Sequence, residues 1–171
     1  MNRICILMMA CWPALALGQM RVEMNAAGPG GPGKSIGSIT VAETDGGVVF
    51  TPDLVGLPPG SHGFHVHENA SCEAGEKEGR KTAALAAGGH FDPGHTGVHR
   101  GPEGGGHKGD LPRLEVSTDG SAKTPVVIKG MKLSGLMNHA LVIHAGGDNY
   151  SDEPEPLGGG GARIACGVIA E

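Results

Sequence analysis

An all-β fold is what this sequence of 171 residues predicts: an eight-stranded antiparallel Greek-key barrel or sandwich with two long functional loops. Three observations carry that reading. Short alternations of apolar and polar residues recur along the chain, the pattern of half-buried strands. No window keeps a helical period, and Gly 32 with Pro 12 interrupts nearly every block of ten residues. Two stretches, 68–113 and 145–162, exceed the roughly 12–15 residues beyond which a structureless loop is usually functional or disordered. Disorder of the whole chain is disfavoured, because the apolar residues are patterned rather than sparse.

Each element follows from local chemistry. Val22 and Met24 alternate with Arg21, Glu23 and Asn25, and Ile39 and Val41 alternate with Ser38 and Thr40. Asp45-Gly46-Gly47 then marks a hairpin turn into Val48–Phe50. Leu57-Pro58-Pro59-Gly60 ends that region before the run Gly63–His67. Beyond the first long loop come Leu114–Val116, the turn Thr118-Asp119-Gly120 and the run Ala122–Ile128. Ala140–His144 and Arg163–Ile169 complete the set. Within the first loop, Thr82–Ala87 suits a short helical turn.

Residues 1–18 read as a cleaved signal peptide, leaving 19–171 as a single domain in the periplasm. Arg3 gives a positive start, Ile4 to Leu17 an apolar stretch, and Ala14, Ala16 and Gly18 a small-residue cleavage region within two residues of Gly18. No run of 18 apolar residues follows, so no transmembrane helix is expected. A formal net charge of −5 argues against nucleic acid as a partner. Cys5 and Cys11 leave with the signal, and the remaining Cys72 and Cys166 most simply form one disulfide in an oxidising compartment.

Nine histidines dominate the chemistry. His65 and His67 are two apart in a strand, so their imidazoles share one face while Phe64 and Val66 take the other. His144 ends a second strand and offers a third nitrogen, and an all-imidazole set suits copper or zinc. In the first loop His90, His95, His99 and His107 run towards Asp110, a mixed nitrogen and oxygen set suited to tetrahedral zinc. Spacing alone leaves His95 and His99 as alternatives. His62 and His139 read as structural, with ring nitrogens bonded to backbone.

Four spaced motifs resemble copper/zinc superoxide dismutases: Gly63-Phe64-His65-Val66-His67-Glu68, Gly89-His90-Phe91-Asp92-Pro93, His107-Lys108-Gly109-Asp110 and Ala162–Ile169. Gly146–Asp152 and the tetraglycine 158–161 resemble the exported bacterial branch. The resemblance implies one copper and one zinc ion per subunit, with superoxide as substrate. Copper would be held by His65, His67, His90 and His144, and zinc by His90, His99, His107 and Asp110, with His90 bridging. It implies that Asp148 links His65 to His99, that Cys72 and Cys166 form the family disulfide, and that Arg163 with His90 serves catalysis. Because the net charge is negative, local positive charge must steer the anion; Lys77, Arg80 and Lys81 in the first loop are candidates, with Glu76 and Glu78 diluting the patch. Where bacterial relatives often carry interface aromatics this chain has Glu103 and Glu115, which favours a monomer over a homodimer. Two rivals stand beside the dismutase. One is a non-catalytic periplasmic copper and zinc store, which would need neither Arg163 nor an open copper position. The other is a zinc hydrolase, for which Glu68 points to the wrong face to act as base.

Overall fold

The computed structural model describes residues 18–170. The expected signal peptide, apart from Gly18, therefore lies outside the described residues. The chain forms β1 (Gly18–Gly28), β2 (Gly31–Thr44), β3 (Gly47–Leu54), β4 (Gly60–His62), β5 (Phe64–His67), β6 (Gly75–Lys77), β7 (Arg80–Thr82), β8 (Leu114–Val116), β9 (Val126–Lys129), β10 (His139–His144) and β11 (Arg163–Ile169). Eleven strands thus stand among the described residues where the sequence reading expects eight.

Seven strands make one curled antiparallel sheet in the order β5-β10-β11-β1-β2-β3-β9. The separate pair β4–β8 lies between its two edges: β4 runs through Gly63 into β5, and β8 leads through the turn at 117–121 towards β9. Two-residue turns join β1 to β2, where Gly28 faces Gly31, and β2 to β3, where Thr44 faces Gly47. The Asp45-Gly46 turn matches the twist of antiparallel strands, as expected.

Three differences from the sequence reading have physical causes. The sequence reading assigns only the alternations at 21–25 and 38–41, yet β1 and β2 pair down to Gly28 and Gly31, so the hairpin is longer than its apolar alternation. The run Ala122–Ile128 is split: Ala122 makes only an isolated bridge to Leu54, and strand pairing starts at Val126, just past Pro125. Charged β6 and β7 form a small hairpin within the first long loop, stabilised by pairing rather than by an apolar face. The short turn expected nearby exists as a 3-10 turn at Leu85–Ala87.

Inward residues of the main sheet fill one core. Val22, Met24, Ile39, Val41 and Leu141 are fully buried there. At its centre Phe50 and Phe64 meet edge-on with ring centroids 5.8 Å apart, the favoured aromatic geometry. On the opposite face of β10 and β11 a smaller cluster gathers Ala84, Ala87, Ala140, Val142 and Cys166, with Cys72 against it. Cys72 and Cys166 are joined as a disulfide, 94 residues apart in sequence. The bridge ties the first loop to β11 and so fixes the wall that faces the histidines.

Candidate metal centre

The strand β5 divides its side chains as its period requires. Phe64 and Val66 enter the core, while His65 and His67 are buried on the other face. Backbone bonds then lay the first loop alongside that strand. Val66 N–H donates to Gly109 O at 2.9 Å, Phe91 N–H to Val66 O at 2.9 Å, and Gly109 N–H to Phe91 O at 2.8 Å. Isolated bridges pair His65 with Asp110 and His67 with His90, so ligand types from two distant segments become neighbours. Gly109 is required for this approach: a Cβ there would stand 2.2 Å from the Val66 carbonyl oxygen. From β10, which pairs with β5, His144 completes the cluster.

His90 divides the site into two halves. Its Nδ1 lies 2.9 Å from Asp110 Oδ1, while its Nε2 is buried with no partner. On the Nε2 side, His65, His67, His90 and His144 bring one donor atom each within 4.8 Å of one another. His67 Nε2 lies 3.3 Å from His144 Nε2, and the His65 ring stacks on His90 with centroids 3.9 Å apart. On the Nδ1 side, His99 Nδ1 lies 2.9 Å from Asp110 Oδ2 and His107 Nδ1 lies 3.3 Å from Asp110 Oδ1. Neither contact has hydrogen-bond geometry, and His65 Nδ1, His99 Nδ1 and His107 Nδ1 are all buried and unpartnered. Four convergent ring nitrogens without partners would be costly in a dry interior. A cation in each half satisfies them, so the donor set fits two metal ions. A thiolate-free imidazole set suits copper, and three imidazoles with one carboxylate suit zinc.

The far nitrogens of these rings are held by fixed acceptors. His65 Nε2–H donates to Asp148 Oδ2 and His99 Nε2–H to Asp148 Oδ1, each at 2.7 Å. His67 Nδ1–H donates to Gly88 O at 3.0 Å, and His144 Nδ1–H to Gly161 O at 3.2 Å. Each acceptor fixes the tautomer, so the lone pair of the other nitrogen points inward. Asp148 is itself pressed by the second loop: a Cβ on Gly158, whose φ is +73°, would stand 2.1 Å from its Oδ1.

Protonation follows from burial and charge. Burial holds His65 below its ordinary value, and His67 well below it. Burial likewise lowers His90 to about 4 and His144 to about 3, so these rings are neutral and metal-competent near pH 7. Burial also opposes charge on His99, but the carboxylates of Asp110, 2.9 Å from its Nδ1, and Asp148, which accepts its Nε2–H, outweigh it and raise the metal-free ring to about 9. Asp110 and Asp148 lie below the usual carboxylate range: desolvation works against this, and their histidine partners prevail.

Arg163 opens β11, its guanidinium half-buried and fixed at the rim of the Nε2 half. Its Nη1 donates to Ala84 O, and its Nη2 donates at 2.6 Å to Gly88 O, the carbonyl that also orients His67. Its charge is felt at His67 and His144, where it helps to disfavour protonation. Lys77, Arg80 and Lys81 sit exposed on the β6–β7 hairpin.

The structure brings together His65, His67, His90, His99, His107, His144, Asp110 and Asp148. It leaves His95 exposed in the loop and buries His99 beside Asp110 and Asp148. His62 and His139 are structural, as expected. His62 ring nitrogens lie 2.7 and 2.8 Å from the carbonyls of His144 and Pro58, and His139 Nδ1–H donates to Glu68 O. The Glu68 carboxylate accepts the Gly89 N–H at 2.8 Å and so braces the first loop. Sequence reasoning missed Asp152, whose Oδ2 accepts the His99 N–H at 2.8 Å and whose Oδ1 accepts the Leu157 N–H. It also missed the carbonyls of Gly88 and Gly161. An acidic residue in an acidic loop and two glycines carry no signal that separates them from their neighbours.

Comparison with known proteins agrees with this geometry. Residues 35–169 match the family model described as copper/zinc superoxide dismutase. A superoxide dismutase [Cu-Zn] 2 of Salmonella typhimurium is 54% identical over 165 residues, covering 96% of this chain and 95% of the relative. A superoxide dismutase [Cu-Zn] of Brucella abortus is 56% identical over 149 residues, covering 86% of each chain. Among solved structures, Cu/Zn superoxide dismutase from Brucella abortus superposes with a TM-score of 0.86 at 55% identity, covering 89% of this chain and 99% of that one. The monomeric copper, zinc superoxide dismutase from Salmonella enterica gives 0.79 at 54% identity, covering 89% and 99%. Relatives that carry the activity in their names do not favour the metal-store reading.

Proposed function

We propose that this chain, which belongs to the copper/zinc superoxide dismutase family, divides its two metals across His90. It is an enzyme that disproportionates superoxide to dioxygen and hydrogen peroxide, with copper and zinc as cofactors. His65 Nδ1 and the Nε2 atoms of His67, His90 and His144 would hold copper; the Nδ1 atoms of His90, His99 and His107 with Asp110 would hold zinc. The observation that supports this is the two-sided environment of His90, one nitrogen facing three imidazoles and the other facing Asp110. When bound, copper supplies the one-electron change and zinc anchors the shared imidazole electrostatically.

The rest is work for the protein's own groups. Arg163 presents a permanent positive charge at the rim and orients an oxyanion there, its guanidinium held by two carbonyls so that little freedom is lost on binding. His90, its Nδ1 turned to Asp110 and its Nε2 free of any protein partner, would hold at Nε2 the proton that passes to the reduced oxygen species. Asp148 keeps His65 and His99 in fixed tautomers throughout. Lys77, Arg80 and Lys81 supply local positive potential that the formal net charge of −5 otherwise opposes. The enzyme would work in the periplasm after cleavage of the predicted signal, as a monomer. Support for the monomer comes from two charges at sites often aromatic in bacterial relatives: Glu115, which accepts the Ser61 hydroxyl at 2.8 Å, and Glu103, 3.8 Å from Lys129. The stopped-flow decay of superoxide over fully metallated protein, with excess chelator, tests the assignment. A second-order constant near the diffusional ceiling of about 10⁸–10⁹ M⁻¹s⁻¹ is expected, a general mark of fast enzymes that superoxide dismutases are known to reach and not a value worked from this chain. Decay at the uncatalysed rate with both metals bound would contradict it.

A further inference from the structure

We propose that zinc reaches and leaves its site through a cavity beneath the glycine-rich loop 101–106, with Lys108, Lys129 and Glu103 setting the charge at its mouth. The inference rests on the zinc ligand set proposed above. The cavity has a volume of about 180 Å³, with His107 and Asp110 among its lining and the exposed Gly105, Lys108 and Lys129 at its rim. One water needs only ~15 Å³ of such space, so a partly hydrated cation has room to pass. His65, His67, His144 and Arg163 do not line it, so the passage is separate from the side on which the anion is handled.

Three further observations point the same way. The zinc donors are least enclosed where they meet this cavity: the His107 side chain is 9% exposed, against 0–1% for His90, His99 and Asp110. His107 Nδ1 is buried without a hydrogen-bond partner, so a residue that lines the cavity carries a bare donor. The crest of the loop at Gly105 projects into open space, with nothing within 4 Å of where a Cβ would stand, while Gly101, Gly104 and Gly106 pack closely at its base. At the mouth, Lys129 Nζ has Glu103 Oε1 at 3.8 Å with both side chains more than 80% exposed, and Lys108 adds a second ammonium. Two cations against one carboxylate slow the approach of a divalent ion. Uptake should therefore respond to charge here, and the response should fade with salt.

The test follows zinc uptake by copper-loaded, zinc-free protein with a fluorescent zinc indicator, so no activity measurement enters. At low ionic strength the double variant K108E/K129E is expected to take up zinc about 3–30-fold faster, and E103K about 2–5-fold slower. K34E, an exposed lysine on β2, should match the parent, and the differences should shrink towards none in 1 M salt, where the Debye length is about 3 Å. One zinc bound per chain at the parent rate in every variant would overturn the passage. A K34E effect as large as that of K108E/K129E would do the same, since it would reduce the effect to overall charge. Parent protein that binds no zinc would instead overturn the ligand set, and the passage with it.

Discussion

Replacing Asp148 with Asn probes the site through hydrogen bonding alone, because the amide keeps the shape of the carboxylate. Asp148 accepts three hydrogen bonds of 2.7 Å: His65 Nε2–H on Oδ2, and both His99 Nε2–H and Tyr150 N–H on Oδ1. Asparagine has one oxygen, and that oxygen belongs where two donors converge, beside His99 and Tyr150. Its NH₂ then faces His65 Nε2, which must become an acceptor. The ring changes tautomer, Nδ1 takes the proton, and the lone pair that faced the Nε2 half of the site is lost. Changing such an outer partner typically lowers metal affinity about 10–100-fold, which is about 1.4–2.7 kcal/mol. In D148N the loss should fall on copper before zinc, since His99 keeps its acceptor; in D148A it should fall on both. Competition against chelators of known affinity measures each metal separately. Copper affinity in D148N within about threefold of the parent would refute the tautomer argument.

Three further outcomes are expected. Arg163→Glu should lower the superoxide rate at least about tenfold with copper content retained, since a charge at the rim governs encounter with an anion; an unchanged stopped-flow rate in fully metallated R163E would remove Arg163 from the mechanism. Cys166→Ser should destabilise the protein by about 4–5 kcal/mol, the chain-entropy value for a loop of this length, seen in urea unfolding as a lower midpoint; an unaltered midpoint would mean the loop is held without the bridge. Metal-free protein should lose stability as pH falls from about 6.5 to about 4. His90 and His144 are neutral when folded, at about 4 and about 3, so the unfolded chain binds more protons in that window. His99 acts in the opposite sense, its contribution being present below 6.5 and lost as pH rises through about 9. A thermal midpoint that rises on acidification from 6.5 to 4 would show that burial of the neutral rings does not govern it.

Much of this architecture is legible in the residues, for reasons that differ by element. β8 and β11 fall at Leu114–Val116 and Arg163–Ile169 as read, because apolar alternation and turn residues agree there. The split of His65 and His67 from Phe64 and Val66 follows from strand period alone. The charged hairpin β6–β7 does not show itself in the same way, since strands without a buried face leave no alternation. Nor does the lower half of the β1–β2 hairpin, where glycines and prolines leave no apolar alternation while backbone pairing continues. Within the site, side chains that must be histidine or aspartate are visible; spacing alone does not separate His99 from His95, the resemblance favours His99, and the structure adds that Asp148, from the second loop, bonds it. The acceptors that orient His67 and His144 are backbone carbonyls, which any residue supplies.

The central claim is that His90 is shared between two chemically different sites. Diffraction from crystals of the doubly loaded protein at the copper and zinc absorption edges tests it most directly. The account predicts a copper signal at the His90 Nε2 side, among His65, His67 and His144, and a zinc signal at the Nδ1 side, among His99, His107 and Asp110. Both metals on one side, or a zinc signal with His107 turned away and His65 in its place, would contradict it.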